Sequence, residues 1–430
     1  MKLWKKETPT NKKIDHFTVG KDREYDLVLA PYDCIASKAH ARMLGTIGLL
    51  TATETEQLVN ALDAIQKTTE TASFTIEEEF EDMHSKIEFL LTEKLGDAGK
   101  KIHTARSRND QVLVALQLYL KEAFSEIKTQ TQELFELLLQ LAEKHQNKLM
   151  PGYTHMQVAM PSSFGLWFSA YAESLVDDVS FLNTAKDLAD QNPLGSAAGF
   201  GSSFPIDREQ TTKELGFNTL KYNAVAAQMG RGKIEKTTAT ALGMLASTIS
   251  KLAMDLCLYM GQDYNFIRFP EALTTGSSIM PHKKNPDVFE LIRGKCNLIQ
   301  GLPHQLALLT SNLPSGYHRE MQLAKGPIIE AIQEMKSCLE MMCFSLKSIE
   351  VIDQSQNEKY QYMYSVDTLN EWVKEGMPFR EAYQKMGKLI AEGGFTPNKT
   401  LNHTHIGSIG SLQLAAIRAK MKKIMDQKSL

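Results

Sequence analysis

From Arg106 to Met150 the chain contains neither proline nor glycine, and Leu113, Leu116, Leu120, Phe124, Ile127, Leu134, Leu138 and Leu141 recur there mostly three or four residues apart. That spacing places them along one face of an α-helix. Forty-odd residues at about 1.5 Å each make a rod of roughly 60 Å, longer than most helices confined to one domain. Such a rod needs apolar partners along its whole length. Similar windows run through 162–191, 233–260, 287–312 and 328–365. Helix breakers are kept out of other long stretches as well, with no proline between Pro31 and Pro151 and neither breaker between Pro327 and Gly376. Strand-like alternation is scarce, so the expected fold class is all-α, a bundle of long helices.

The runs LFELLLQLA (134–142) and LASTISKLAMDLCLYM (245–260) are apolar over more than one face. A helix of that kind is buried on several sides, and the bundle is expected to be completed by other subunits. The first hundred residues carry shorter helical patterns and an acidic patch, EEEFED (77–82). The last seventy are broken by Gly376-Met377-Pro378, Gly393-Gly394 and Pro397. The chain therefore divides into an N-terminal helical domain (1–107), a central long-helix domain (108–360) and a small C-terminal helical domain (361–430).

A net charge of -3 gives no bulk preference for nucleic acid or an anionic membrane. Basic residues are dispersed except for Lys2, Lys5, Lys6, Lys12 and Lys13, which read as a solvated arm. The five cysteines include no C-x-x-C pair, and Cys338 and Cys343 sit in an apolar run, which suits reduced thiols in a reducing compartment. The polar N-terminus lacks an apolar signal core, and no run of eighteen apolar residues suggests a membrane span. A soluble, cytoplasmic protein is expected.

Histidine, serine, threonine, asparagine and basic residues concentrate at the breaks between long helices. In KKIHTARSRNDQ (100–111), Ser107, Arg108 and Asn109 stand at the start of the longest helix, where free N–H groups and the helix dipole favour an anion. Simple capping by Ser107 or Asn109 explains the same residues. In MPGYTHMQVAMP (150–161), Thr154 and His155 lie between two prolines, and a histidine suits proton transfer near neutral pH. In TTGSSIMPHKKNP (274–286), Gly276 frees the backbone and N–H groups around Ser277 and Ser278 can form an anion-binding nest, with Lys283 and Asn285 nearby. Asp287 and Glu290 open the helix that follows. In NLPSGYHREMQLAKGP (312–327), Tyr317, Arg319, Gln322 and Lys325 fall within reach of one another. NPLGSAAGFGSSFPIDRE (192–209) is rich in glycine and serine but lacks phosphate-loop spacing. His84 and Glu88 share a helix face with Asp82 near, yet no metal-binding motif accompanies them, so no metal is expected.

GSSIMPHKKNP resembles the G-S-S-x-M-P-x-K-x-N signature of the fumarase/aspartase superfamily. HTARSRNDQ, MPGYTHMQ, NPLGSAAGFGSSFPIDRE and PHKKNPDVFELIRGK are similar to the argininosuccinate lyase branch, in order from about residue 15 to 330. The resemblance implies elimination of argininosuccinate to arginine and fumarate, the last step of arginine biosynthesis, without metal or organic cofactor. It also implies a homotetramer with a twenty-helix core, whose active sites combine segments of three chains. In catalysis it implies Ser277 as base, His155 as acid paired with Glu290, and Lys283 with the loop N–H groups stabilising the serine alkoxide. Ser107, Asn109, Thr154, Lys283 and Asn285 match donors for the aci-carboxylate. With Arg108 they belong to the substrate site, and Tyr317, Gln322 and Lys325 align with residues holding the arginine half. Several positions depart from the family pattern. Ala105 replaces a glycine, which is mild if φ there is negative. His282, His318 and Gly232 are unusual, and Asp22 stands where many members have a substrate-binding serine.

Overall fold

The computed structural model describes residues 11–71 and 73–427. Lys2, Lys5 and Lys6 of the basic arm lie outside them, while Lys12 and Lys13 are exposed in the first turn of α1 (Lys12–Val19). The helix α2 (Asp22–Thr46) runs straight through Pro31, which interrupts the periodicity argument but not the helix. It is followed by α3 (Ala52–Thr69), opened by a reciprocal Thr51–Glu54 capping box. Next come α4 (Met83–Leu95), capped by Asp82, and the single turn α5 (Asp97–Lys100).

The long rod is α6 (Arg108–Lys144), 37 residues or about 55 Å. A hairpin of β1 (Leu149–Thr154) and β2 (Gln157–Ser163) then leads to α7 (Phe164–Ala189). The Gly/Ser-rich excursion contains β3 (Gln191–Asn192) pairing in parallel with β4 (Thr219–Leu220), and the short helices α8 (Arg208–Glu214) and α9 (Ala224–Met229). Two further rods follow, α10 (Lys233–Met260) and α11 (Asp287–Leu309), with β5 (Ile267–Arg268) between them.

The helix expected over 328–365 is shorter. It forms α12 (Lys325–Leu346) and stops before β6 (Glu350–Val351), which pairs with β5. A 3₁₀ segment at Glu358–Tyr364 precedes α13 (Ser365–Lys374). Absence of glycine and proline is permissive for a helix but does not extend one. In 351–359 the sequence VIDQSQNEK offers little apolar periodicity to bury, and the Asp353 side chain accepts N–H groups of Leu149 and Ser355 instead. The chain ends with α14 (Phe379–Ala391) and α15 (Leu414–Met425).

Helices α6, α7, α10, α11 and α12 pack on one another as a bundle. Its core is lined by residues such as Leu116, Phe124, Leu138, Phe168, Leu245, Ile299 and Met335. In α10, the one helix among the described residues long and apolar enough to cross a membrane, 56% of the most apolar window is buried in this core.

Candidate active site

The first part of the site is a cavity of about 110 Å³ where the starts of α2, α4 and α6 meet the 317–325 segment. It gathers Arg108 and Asn109 with Tyr317, Gln322 and Lys325, five of the residues singled out in the sequence. Arg108 reaches Glu81 Oε2 at 2.7 Å, Asp82 Oδ2 at 3.3 Å and Ser85 Oγ at 2.7 Å. Arg319 binds the other oxygen of Glu81 at 3.1 Å. The acidic patch EEEFED therefore supplies a wall of the cavity through Glu81 and Asp82. Burial would raise the Asp82 carboxyl, but His84, Arg108 and contacts to Ser85 hold it below the ordinary value.

Behind this wall His84 Nδ1 lies 3.0 Å from Asp33 Oδ1, both side chains buried. Burial alone would lower the imidazole, and the Asp33 carboxylate more than offsets it, so His84 is raised. Glu88 turns the other way, toward His103 at 3.4 Å. The two residues considered as a metal pair thus serve different partners. At the cavity floor Lys325 is fully buried between Asp22, at 2.6 Å, and Asp26. Expected as a substrate contact, it lines the cavity but already has two carboxylates as partners.

Ser107 is the N-cap of α6, and its main-chain N–H donates to Asp110 Oδ1 at 2.8 Å. The same Asp110, wholly buried, accepts the N–H groups of Gly195 and Ala197 on Oδ2, both at 2.9 Å. One carboxylate thus fastens the 107–110 turn to the Gly/Ser-rich excursion, a link invisible in either motif alone. Ala105 has φ 63°, contrary to the negative value under which its replacement of glycine would be mild. A Cβ there is strained. Gly232 has a structural reason for being glycine: φ is +79°, and a Cβ would come within 2.7 Å of Thr310 Cγ2.

Thr154 and His155 are not in this cavity. They form the tip of the β1–β2 hairpin, where Thr154 pairs with Gln157 and the two residues between have φ 52° (His155) and 59° (Met156). Two positive φ values mark a type I′ turn, which ordinarily selects Asn-Gly. Histidine and methionine there are held against their own preference, as side chains at functional turns often are. His155 is exposed at the tip.

The serine loop hangs from a neck in which Thr275 and Asn285 exchange main-chain hydrogen bonds. The Asn285 side-chain amide donates to Thr275 Oγ1 and to the Gly276 carbonyl, so it is spent on the neck. Ser277 Oγ accepts the N–H groups of Ile279 at 3.3 Å and Met280 at 3.1 Å, so these main-chain donors turn onto the serine hydroxyl itself. Lys283 is exposed, and its main-chain N–H donates to Met280 O at 3.1 Å. Glu290 is exposed in the first turn of α11 and is not hydrogen-bonded to His155 within the chain. The single chain therefore presents a cavity, a histidine tip and a serine loop as separate features.

The comparisons with known proteins bear on these parts together. A protein family described as lyase matches residues 1–301. The solved structure of EDDS lyase in complex with formate superposes with a TM-score of 0.76 at 20% identity, covering 97% of this chain and 90% of that one. Class II fumarase from Schistosoma mansoni superposes with a TM-score of 0.73 at 15% identity, covering 95% and 91%. Fold and family match define a lyase of the fumarase/aspartase superfamily. Argininosuccinate lyase of Bacteroides thetaiotaomicron is 53% identical over 99% of this chain and 96% of its own length. The enzyme of the same name from Sorangium cellulosum is 38% identical over 98% and 99%. Within the superfamily, the chain belongs to the argininosuccinate lyase family.

Proposed function

We propose that the protein cleaves argininosuccinate to L-arginine and fumarate, the last step of arginine biosynthesis. The geometry that carries the reading is the Ser277 loop, where a hydroxyl oxygen faces two main-chain N–H groups. The reaction removes a proton from the carbon beside a carboxylate, a very weak acid, so the base must be strong and the carbanion must be stabilised. N–H groups aimed at Ser277 Oγ favour its alkoxide and make the hydroxyl a workable base. The electron pair left on carbon spreads into the neighbouring carboxylate as an aci-carboxylate. Donors from Ser107, Asn109, Thr154 and Lys283 stabilise it, each worth about 3–4 kcal/mol by analogy with an oxyanion hole, while Asn285, expected among them, spends its amide holding the neck of the serine loop. The pair then forms the double bond of fumarate as the C–N bond breaks, and His155, with Glu290 as its carboxylate partner, protonates the departing guanidinium nitrogen. Arg108, Tyr317, Gln322 and Lys325 belong to the cavity that takes the arginine half.

Separation of the cavity from His155 and Ser277 supports a homotetramer in which other subunits complete each site. The outer face of α11 is in keeping with this, presenting Leu291, Gly294, Leu298, Gly301 and Leu308 in one stripe, with open space beyond both glycines. Five long helices from each of four chains make a twenty-helix core. We also propose the three-domain division at 107/108 and 360/361. The five unpaired thiols suit a cytoplasmic location.

The reading is tested by following ultraviolet absorbance of fumarate after adding argininosuccinate. Release is expected. No release from argininosuccinate, with release from adenylosuccinate, overturns the assignment.

A further inference from the structure

The charge at the cavity floor does not balance. Lys325 brings one ammonium, and two carboxylates, Asp22 and Asp26, are directed at it. Asp26 is fully used. One of its oxygens takes Lys325 and the other accepts the main-chain N–H of Met83 at 3.0 Å. One carboxylate neutralises one ammonium, so Asp22 leaves the corner with a surplus negative charge. The other cations on the cavity wall are committed, Arg231 to Glu235 at 3.0 Å and Arg108 and Arg319 to Glu81. Asp22 spends Oδ1 on Lys325, and no donor among the described residues reaches Oδ2.

Asp22 lies at the first turn of the 25-residue α2, and the helix dipole offsets part of the cost of holding the charge. Burial nevertheless pushes its carboxyl above the ordinary range, with Lys325 pulling it back. An anion with a spare oxygen in a polar cavity calls for a cation with hydrogen-bond donors. On the same cavity wall stand neutral donors, the Tyr317 hydroxyl and the Gln322 amide, which gives one hydrogen to Thr18 O at 3.3 Å and keeps the other. An ammonium bound at Asp22 and a carboxylate bound at these donors describe the α-amino-acid end of a ligand.

We propose that Asp22 is the recognition group for the α-ammonium of the substrate's arginine half, an inference that rests on the cavity being the argininosuccinate site. A serine at this position can only donate to or accept from a neutral partner. Aspartate makes the α-ammonium a charged requirement. The site then discriminates against guanidino acids that carry the carboxylate and the guanidinium but lack the amine.

The test measures binding of L-arginine and of 5-guanidinopentanoate, its des-amino analogue, to the intact protein by calorimetry. A charge-assisted contact of this kind gives L-arginine a preference of about tenfold or more. Asp22→Ser and Asp22→Asn should bring the two ligands within about twofold, while Asp22→Glu retains the preference. In turnover, the loss in Asp22→Asn should appear in KM more than in kcat. Asp22→Asn is isosteric, and Lys325 keeps Asp26, so this variant carries the test if Asp22→Ser fails to fold. A preference that survives in Asp22→Asn, or is missing from the wild type, overturns the proposal. Failure of the underlying functional reading shows separately, as absence of fumarate release by the wild type.

Discussion

The main-chain nitrogen of Met280 lies 3.1 Å from Ser277 Oγ and donates its hydrogen to it, while Ile279 donates at 3.3 Å. Ser278 lacks this arrangement among the described hydrogen bonds, so the two serines are not equivalent. If Ser277 is the base, Ser277→Ala lowers turnover by at least about a hundredfold, and His155→Asn does the same by removing the acid. Near-wild-type fumarate release by either variant removes that residue from the mechanism. Because the proposed sites draw on several chains, the assembly rebuilt from a mixture of the two variants should regain activity that neither has alone.

Ala105 bears on stability. Its φ of 63° costs an L-residue roughly 1–2 kcal/mol, and glycine gives back part of that through its freer unfolded chain. Ala105→Gly should therefore raise stability by up to about 1 kcal/mol per chain, read as a higher denaturant midpoint at fixed protein concentration. An unchanged or lower midpoint means neighbouring packing holds this turn without strain.

The contrast between these two positions shows what the sequence carries. The rods were legible because apolar residues three and four apart have one geometric outcome: α7, α10 and α11 begin and end within a few residues of the expected bounds, and α6 starts as expected but stops six residues before Met150. The end of α12 at Leu346 was not, since missing breakers do not supply a buried face. Within the site, short motifs announced Ser277 and His155, because unusual residue types cluster there. Asp110, Asp26 and Asp33 were silent, because a buried carboxylate has no local pattern and draws its meaning from distant N–H groups and cations. The sign of φ at Ala105 was likewise beyond composition, being set by how the 103–107 turn meets α6.

His145 predicts an acid sensitivity. It is buried at the end of α6 against Phe168, and neither ring nitrogen has a hydrogen-bond partner. Burial, then Lys148 and Lys144, lower its imidazole to about 4 from an ordinary value of 6.5. Between those values the unfolded chain binds a proton that the folded one does not, so stability falls as pH falls, by about 2 kcal/mol at pH 5. At pH 7 the folded imidazole is neutral and the unfolded one mostly so, and this contribution falls to about 0.2 kcal/mol. His145→Phe should therefore gain on the wild type in Tm at pH 5 far more than at pH 7. An equal difference at both values places the acid sensitivity elsewhere.

The outer stripe of α11 gives the most direct check on assembly. Leu298 is 80% exposed in the single chain, midway along a row with Leu291 and Leu308, and glycines on either side let another helix approach closely. An apolar row of this length is costly to leave in water, and a charge at its centre is costly to bury between helices. If α11 is the proposed subunit contact, Leu298→Glu gives a species of lower mass than the wild type by light scattering. It should also abolish fumarate release, because neither His155 nor Ser277 lies in its own chain's cavity. Lys388→Glu, on the exposed face of α14, reverses a charge away from the stripe and should leave both properties intact. A Leu298→Glu protein that keeps wild-type mass would show that α11 faces solvent. One that dissociates yet stays fully active would show that each chain carries a complete site.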